Sequence, residues 1–374
     1  MSYDLYTAVR CSTERDVDEL AKGSPRGFDI PNIAARIRLL ASISAENGDL
    51  KEYVIVGRRN HENGYKSLVH ARGARKSRYT QELIEDEYKR LNSIGLLKPS
   101  ITDYQQLPIG SWFLQFEFIL AKPWISKDDD PFYVADSVNP VRKDKVFKVP
   151  VMAASGWKGL LRWTAMYTRL AMMRHELSVE EFAKERFIQT LLFGDEKGEE
   201  PGSKKDYAKY VNGLKPEAQA HYECMVREYY RLGPEDALSH HKGRLMFYAT
   251  FFDSIGIEVI NPHSRKTRAG THPIYLECVP AGGKGVFSLL YLPFDLIGRQ
   301  DWDEAKIKEQ SRCDLRLIIE SIKDMMLTYG FSAKRTSGYG TAEDAIIGIV
   351  KTGENEKTTT SLAKLDREVG NVEF

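Results

Sequence analysis

The sequence predicts an α+β protein with an expanded ferredoxin-like core, and two observations support this fold class. First, the periodicity of apolar residues from about residue 107 onward gives the order strand, helix, strand, strand, helix, strand, which is the split βαβ order of ferredoxin-like folds. Second, a length of 374 residues, 42% of them hydrophobic, provides a sizeable core for one large domain or two ordinary ones.

The first predicted strand covers residues 112–120, where aromatic and β-branched residues alternate with Gln115 and Glu117. The following segment, 122–150, contains charges, prolines and aromatics without a sustained period, so it is predicted to be a long ordered loop. Loops of this length in a folded domain are usually functional or disordered.

Two helices are predicted after this loop. Ser155 is expected to be the N-cap of a helix over residues 156–174, and Ser178 forms a capping box with Glu181 for a second helix. The second helix is expected to end at Gly194, because glycine commonly follows the last residue of a helix.

The second half of the predicted core contains two strands, 244–252 and 285–292, a long helix over 302–329 and a last strand over 345–350. A polar excursion, 253–284, separates the two strands. It is expected to project from the sheet as a basic hairpin.

Three regions are expected along the chain: a basic N-terminal extension or insertion, 1–106, a core domain, 107–352, and a polar, weakly structured tail, 353–374. The cations of the first region concentrate between residues 58 and 78, and an amphipathic helix is predicted over 79–97. This basic stretch either extends a nucleic-acid channel, contacts a neighbouring subunit or is simply solvated.

Composition excludes several classes of protein. No apolar run approaches the ~20 residues needed to span a bilayer, and the N-terminus lacks a leader, so a cytoplasmic protein without membrane contact is expected. The four cysteines are far apart, which is typical of reduced thiols rather than of a zinc site or a disulfide framework. The formal net charge of +1 is uninformative in bulk, because the positive charge is gathered in a few segments.

The first candidate nucleic-acid site lies where the long loop meets the next helix, and it consists of Ser155, Gly156, Lys158 and Arg162. A helix N-terminus offers free N–H groups and a positive dipole end, and glycine permits close approach of a phosphate. Lys158 and Arg162 are four residues apart and share a helix face. The alternative is that the glycines only permit tight packing while both cations are solvated.

The second candidate is the glycine-rich connection over residues 330–340, between the last helix and the last strand. Its predicted RNA-binding residues are Lys334, Arg335, Ser337, Gly338, Tyr339 and Gly340. Backbone amides of such a loop can bind phosphates and an aromatic ring can stack on a base. The alternative is a flexible connection, but such a connection needs neither the two cations nor the tyrosine.

The third candidate is the excursion over 253–284, where Arg265, Lys266 and Arg268 are the predicted RNA-binding residues. A basic hairpin can reach along a nucleic-acid backbone. In isolation, a solvated charged loop explains these residues equally well.

Together these elements resemble the RAMP superfamily, the repeat-associated proteins of CRISPR effector complexes. The resemblance spans about residues 107–352, and its motifs in chain order are Ser155-Gly156-Trp157-Lys158-Gly159, Leu192-Phe193-Gly194, Gly243-Arg244-Leu245 and Gly338-Tyr339-Gly340. It implies an RNA-binding domain of ferredoxin-like type with a thumb at about 253–284. The sequence departs from the family at Ala153-Ala154, where Gly-Ser is usual, and in residues 1–106, which have no counterpart.

Within this resemblance the pattern is most like a backbone subunit of a type III effector complex, which implies the guide RNA, target RNA and other effector subunits as partners. In such subunits an aspartate after the first strand cleaves target RNA with a divalent metal, and residues 136–144 resemble that loop with two residues inserted. Asp136 is then the expected catalytic residue and ligand of Mg²⁺ or Mn²⁺. A single carboxylate cannot fix a two-metal site, although Asp128–Asp130 could add contacts through water.

Three alternatives remain open at this point. The chain is either such a target-RNA endonuclease, a non-catalytic structural or capping subunit, or a metal-independent repeat-processing endoribonuclease that uses His240 or His241 as general acid or base. If the resemblance to the superfamily does not hold, the alternative hypothesis is a globular protein with an unrelated partner. For Asp128–Asp130 and Asp136 themselves, the alternative is an acidic solvated loop in which Asp136 serves as a turn cap.

Overall fold

The computed structural model describes residues 5–56, 64–70, 76–101, 104–127, 138–196, 207–236, 238, 241–262, 273–353 and 355–374. Its α-helices are α1 (Leu5–Ala8), α2 (Glu14–Lys22), α3 (Ile33–Glu46), α4 (Lys51–Val56), α5 (Tyr65–Val69), α6 (Glu85–Ser93), α7 (Ala154–Met166), α8 (Val179–Phe193), α9 (Tyr207–Leu214), α10 (Gln219–Tyr230), α11 (Glu304–Asp324) and α12 (Leu365–Val369). Its strands are β1 (Trp112–Ile119), β2 (Val138–Asn139), β3 (Val151–Met152), β4 (Leu245–Phe247), β5 (Thr250–Phe251), β6 (Gly256–Ile260), β7 (Ile274–Cys278), β8 (Lys284–Tyr291), β9 (Ala345–Thr352) and β10 (Asn355–Ser361).

The central sheet has five strands in the order β10, β9, β1, β8, β4, and each neighbouring pair is antiparallel. β1 lies in the middle, where Phe116 is opposite Phe287 of β8 on one side and Gly348 of β9 on the other. Along the chain, β1, α7, β4, β8, α11 and β9 follow the predicted order of strand, helix, strand, strand, helix, strand. The predicted α+β class is therefore confirmed.

Helix α7 is fixed to this sheet by Trp157, which is fully buried. Its ring packs edge to face on Phe118 and Phe287, with centroid distances of 6.1 and 5.0 Å, and its indole N–H donates to the Thr250 hydroxyl at 2.9 Å. Buried aromatic pairs of this kind add directional energy to the area that they bury. The start of α7 therefore has a defined position over the sheet.

A second hydrophobic cluster is formed by α8, α9 and α10 together with the end of α7 and the turn that follows it, and α9 and α10 were not predicted. The predicted capping box of α8 is confirmed: the Glu181 amide donates to the Ser178 hydroxyl at 3.1 Å, and the Ser178 amide donates to the Glu181 carboxylate at 2.8 Å. In the cluster, the guanidinium of Arg186 lies 3.9 Å over the ring of Tyr222.

The predicted strand over 244–252 is wrong in one respect, because it consists of two short strands, β4 and β5, that belong to different sheets. β4 pairs with β8, whereas β5 pairs with β3. The side chain of Thr250 in β5 nevertheless contacts β8. Its hydroxyl donates to the carbonyl oxygen of Val286 at 2.6 Å.

The excursion over 253–284 contains an antiparallel pair, β6 and β7, with β2 added in parallel to β7. Gly256 is opposite Cys278 at the base of this hairpin, and Ile260 is opposite Ile274 at its far end. The predicted hairpin arms are therefore present. The segment 263–272 between them lies outside the described residues.

The described residues of the N-terminal region share one hydrophobic cluster with the central sheet. Arg36 fixes their internal arrangement, since its buried guanidinium donates to the carbonyl oxygens of Ile30 and Pro31 at 2.8 and 2.7 Å and pairs with Glu82 at 2.7 Å. The predicted helix over 79–97 is present as a π-helical turn, Thr80–Ile84, followed by α6.

The prediction of a weakly structured tail is wrong. β10 pairs with β9 and forms one edge of the sheet, and α12 packs behind it through the buried side chains of Leu365 and Val369. The carboxylate of Glu368 accepts hydrogen bonds from the Thr359 hydroxyl at 2.7 Å and the Thr360 amide at 2.9 Å. Threonine favours a strand at the edge of a sheet, where one face stays solvated. Within the described part of the chain, no helix is both long and apolar enough to span a bilayer.

Candidate nucleic-acid interface

The start of α7 differs from its prediction. The helix begins at Ala154, Ala153 occupies the N-cap position with an extended backbone, and its side chain makes no capping hydrogen bond. Ser155 is therefore not the N-cap, as predicted, but an exposed residue of the first turn. Because a methyl side chain cannot accept a hydrogen bond, the positive end of this helix dipole is left to solvent or to a ligand.

The two predicted cations of α7 have different surroundings. The guanidinium of Arg162 donates to the carbonyl oxygens of Asp195 and Gly194 at 2.6 and 3.0 Å, and it lies 4.7 Å over the ring of Tyr207. Lys158 is half-buried one helical turn nearer the N-terminus. Arg162 thus holds the turn that follows α8. Its predicted contact with RNA stays a prediction.

Two of the motif segments cross at the end of α8. The amide of Arg244 donates to the carbonyl oxygen of Leu191 at 3.0 Å, and a Cβ atom on Gly243 would overlap the main chain of Gly194. Gly194 has a φ of +80° and its own Cβ would lie 2.8 Å from the carbonyl oxygen of His241. Both glycines are required because two backbones touch here. We call this crossing, together with the side chains of Arg162 and Arg244, the motif junction.

Arg244 is the charged centre of the motif junction and is only 3% exposed. Its guanidinium pairs with Asp295 at 2.7 Å and with Asp314 at 2.8 Å, and Asp314 also accepts from the Tyr291 hydroxyl at 2.7 Å. Burial disfavours the charge of Asp295, but hydrogen bonds from Arg244 outweigh this and lower its pKa, whereas burial dominates at Asp314 and raises its pKa. The Gly-Arg-Leu motif therefore stabilises the packing of the sheet against α11.

The glycine loop, residues 330–340, is closed at its base by main-chain hydrogen bonds. The amide of Phe331 donates to the carbonyl oxygen of Gly340 at 2.8 Å, the amide of Gly340 donates to Pro123 at 2.8 Å, and the amide of Ala333 donates to Ile125 at 2.8 Å. Gly330 and Gly340 have positive φ angles. The loop is thus tied to the segment that follows β1, and the alternative of a flexible connection does not describe it.

The tip of the glycine loop is open. Lys334, Ser337 and Gly338 are exposed, and a Cβ atom on Gly338 would meet no atom within 4 Å. Arg335 lies against α7, with its guanidinium 4.1 Å over the ring of Trp163. Tyr339 points the other way and donates from its hydroxyl to Glu258 of β6 at 3.2 Å. The tip therefore presents a cation and a glycine backbone beside the first helix of the core.

The described cations of the stretch over 58–78 are all engaged within the chain. Lys66 is buried with its ammonium 3.3 Å over the ring of Tyr275, Lys76 pairs with Glu85 at 2.8 Å, and Arg78 pairs with Glu82 at 2.8 Å. Lys66 thus contacts β7 of the hairpin, whereas Lys76 and Arg78 pair with carboxylates inside the N-terminal region itself.

Sequence reasoning missed the buried carboxylate that ties the N-terminal region to the hairpin. Glu277 of β7 is 2% exposed, accepts a hydrogen bond from the Tyr65 hydroxyl and from the Val141 amide at 3.0 Å, and pairs with Lys143. Burial, and next the charge of Glu277, raise the pKa of Tyr65 well above its ordinary value. A lone glutamate among apolar strand residues is the only signal in the sequence, and its partners are distant along the chain.

Several predicted residues lie outside the described part of the chain. They are Asp128–Asp130, Asp136, His240, Arg265, Lys266 and Arg268. Among the described residues, no group of three or more His, Cys, Asp or Glu side chains is arranged to hold a metal ion. The predicted divalent cation at Asp136 thus stays a prediction.

Comparisons with known proteins place this arrangement in a family. A model of the RAMP superfamily matches residues 130–343, which is more than half of the chain and lies within the range of the sequence resemblance. No curated protein matches.

Several solved structures that match this chain come from CRISPR complexes. A chain from a cryo-EM structure of a type III-B Cmr-beta complex bound to cognate target RNA has 12% identity and a TM-score of 0.40, with 93% of this chain and 98% of that chain covered. A chain of a type IV-B CRISPR complex has 12% identity and a TM-score of 0.35 over 66% and 92%. A chain of a CRISPR RNA-guided surveillance complex has 11% identity and a TM-score of 0.34 over 63% and 68%.

Proposed function

Because this chain belongs to the RAMP superfamily, we propose that it is a subunit of a CRISPR effector complex of type III and binds guide RNA and target RNA there. The observation that supports RNA binding is the open tip of the glycine loop, where Lys334 and the backbone of Gly338 are exposed and Arg335 lies over Trp163 of α7. The N-cap residue of α7 makes no side-chain hydrogen bond, so the positive end of that helix dipole adds a second group that attracts an anion. These are the groups that bind phosphate oxygens without reading bases.

The proposed binding is largely independent of RNA sequence. Base pairing between guide and target supplies the sequence information in RNA-guided complexes, while the protein contacts the backbone and its shape. Phosphate contacts also make the affinity fall with rising salt, with a slope of about −0.7 per phosphate for a single strand.

Purification with bound nucleic acid tests this function most directly. We expect the expressed complex to carry RNAs that share one repeat-derived segment joined to varied spacers, and sequencing of the bound RNA checks this. Random cellular RNA in the preparation would contradict the proposal. An affinity for RNA that does not depend on salt would contradict the phosphate contacts.

Cleavage of the target RNA through Asp136 and a divalent cation belongs to the same proposal. A carboxylate at that position can hold a hydrated Mg²⁺ or Mn²⁺ beside the scissile phosphate. We expect Asp136→Ala and chelation of the metal each to abolish cleavage while guide binding is unchanged. Target cleavage that Asp136→Ala leaves unchanged at every position would identify a non-catalytic subunit instead.

Repeat processing by a histidine is less well supported by the described residues. The ring of His241 is stacked on Tyr230 with centroids 3.6 Å apart, and its amide donates to the carboxylate of Asp195 at 2.5 Å. A ring in this position contributes to packing beside the motif junction. Processing of a repeat RNA in the presence of chelator, lost in His240→Ala, would favour this second function.

A further inference from the structure

The segment that follows Asp136 in the chain is held by a buried carboxylate from the hairpin. Glu277 of β7 accepts hydrogen bonds from the amide of Val141 at 3.0 Å and from the ammonium of Lys143. β2 begins two residues after Asp136 and pairs in parallel with β7 beside this carboxylate. Because two residues of chain span at most about 7 Å, whatever fixes β2 also limits how far Asp136 can lie from it.

Two buried tyrosines of the N-terminal region contact the same segment. The hydroxyl of Tyr65 donates to the carboxylate of Glu277, and the hydroxyl of Tyr79 donates to the carbonyl oxygen of Lys148 at 2.8 Å. Lys148 has a φ of +58°, a left-handed conformation that a residue with a side chain keeps only where its surroundings hold it. The N-terminal region therefore acts on residues 138–150 at two places, once through Glu277 and once directly.

Attachment of the N-terminal region to the hairpin does not by itself require a charge in β7. Neutral groups already join the two regions, since the Ser77 hydroxyl donates to the carbonyl oxygen of Ile255 at 3.1 Å and the Ile255 amide donates to the Thr80 hydroxyl at 3.2 Å. A buried ion pair is costly to desolvate, and apolar residues in its place are often neutral or stabilising. What the carboxylate of Glu277 adds is direction, because its oxygens orient the Val141 amide.

We propose that Glu277 is a positioning residue for cleavage of the target RNA, and that Tyr65 of the N-terminal region orients its carboxylate. This role rests on the proposed cleavage through Asp136, because Glu277 is buried and acts only through the segment that follows that aspartate. It gives the N-terminal region a task in setting the geometry of cleavage. Loss of the Tyr65 hydrogen bond should therefore slow the chemical step and leave the binding of RNA unchanged.

The test compares two tyrosines of the N-terminal region in the assembled effector complex. Tyr65→Phe removes the hydroxyl that binds Glu277, and Tyr53→Phe removes a hydroxyl that donates to Asp18 at 2.8 Å within the N-terminal region. We expect Tyr65→Phe to lower kcat for target cleavage about 10- to 100-fold with KM and guide binding unchanged, since a displacement of about 1 Å in a catalytic group can cost 100-fold. Tyr53→Phe should match the wild type.

Hydrogen exchange of the full chain, measured without added metal, gives a second readout that does not depend on activity. In Tyr65→Phe the Val141 amide should exchange about 10-fold faster than in the wild type, because its acceptor is held less firmly, while the Phe116 amide in β1 should be unchanged. Glu277→Gln keeps the size of the side chain but replaces one acceptor oxygen by a donor, so it should show both effects. It also keeps the test decisive if Tyr65→Phe does not assemble into the complex.

Three outcomes overturn the proposal, and they separate its failure from that of the proposed function. If Tyr65→Phe and Glu277→Gln leave kcat or the exchange of the Val141 amide unchanged while Asp136→Ala abolishes cleavage, the positioning role is wrong and the proposed function stands. If Tyr53→Phe lowers kcat as much as Tyr65→Phe does, the loss reflects the stability of the N-terminal region and not the orientation of Glu277. If the complex carries guide RNA but Asp136→Ala cleaves normally, cleavage through Asp136 and the positioning role fail together.

Discussion

The motif junction and the tip of the glycine loop are both built from glycine and basic residues, yet their environments are opposite. At the motif junction, Arg244 is 3% exposed and its guanidinium is paired with two carboxylates. At the tip, Lys334 is exposed and Gly338 faces open space. The same residue types thus hold two backbones together in one region and leave a surface free for a ligand in the other. Burial, and not residue type, separates the scaffold from the candidate interface.

The largest difference in unfolding free energy between the two regions is expected when the buried charge of Arg244 is removed. Arg244→Leu leaves Asp295 and Asp314 unpaired in the interior, and breaking one side of a buried ion pair costs about 3–5 kcal/mol. Urea unfolding followed by tryptophan fluorescence measures the loss. Lys334→Leu at the tip is the matched control and should change the unfolding free energy by less than about 0.5 kcal/mol. Equal losses in the two variants would abolish the distinction between the regions.

Two glycines of the same loop provide a finer comparison. Gly338 and Gly340 both have positive φ angles, so an alanine at either position costs about 1–2 kcal/mol of backbone strain. At Gly340 the new Cβ would also overlap Ser332, which adds about 1–3 kcal/mol, while at Gly338 it meets nothing. The melting temperature of Gly340→Ala should therefore be well below that of Gly338→Ala. Similar melting temperatures would show that the base of the loop is not rigid.

Arg162 tests the comparison at a single residue, because it was predicted to bind RNA and yet lies in the motif junction. Its hydrogen bonds to Gly194 and Asp195 place it in the motif junction, and charged hydrogen bonds contribute about 1.5–3 kcal/mol each. We expect Arg162→Gln to lower the unfolding free energy by about 1–3 kcal/mol and to leave the salt slope of RNA binding unchanged. A reduced slope at unchanged stability would restore the original prediction that Arg162 contacts RNA.

Sequence periodicity was enough to predict the elements that bury one face against the core. β1 shows the two-residue alternation of a strand, and α8 carries its capping box in the sequence. β10 was missed because it is a threonine-rich edge strand whose exposed face reads as polar. The site was harder to predict, because partners such as Asp195 and Asp295 are 33 and 51 residues from Arg162 and Arg244. No local pattern distinguishes a paired arginine from a free one.

The tail, with β10 and α12, combines features of both regions. The smallest expected effect is the dependence of its local opening on pH. Glu368 of the tail and Asp344, which precedes β9 and binds the tail, are hydrogen-bonded carboxylates, as at the motif junction, but both reach solvent, as the tip does. Hydrogen bonds, first from the Thr359 hydroxyl and then from the Thr360 amide, lower the pKa of Glu368, and the Ala363 amide, with the Ser361 hydroxyl, lowers that of Asp344.

A carboxylate whose pKa is lower in the folded state stabilises that state above its unfolded pKa, and this contribution is lost as the pH falls through the folded pKa. The loss should therefore begin near the ordinary values of 4.5 for Glu368 and 3.8 for Asp344 and continue below them. Hydrogen exchange, corrected for the intrinsic rate at each pH, should show α12 and β10 opening between pH 5 and 3 before β1 does. Because a glutamine side chain does not titrate, Glu368→Gln should open α12 and β10 more readily at neutral pH and should lose most of the pH dependence of this opening. Simultaneous opening of β10 and β1 would mean that the tail belongs to the cooperative core.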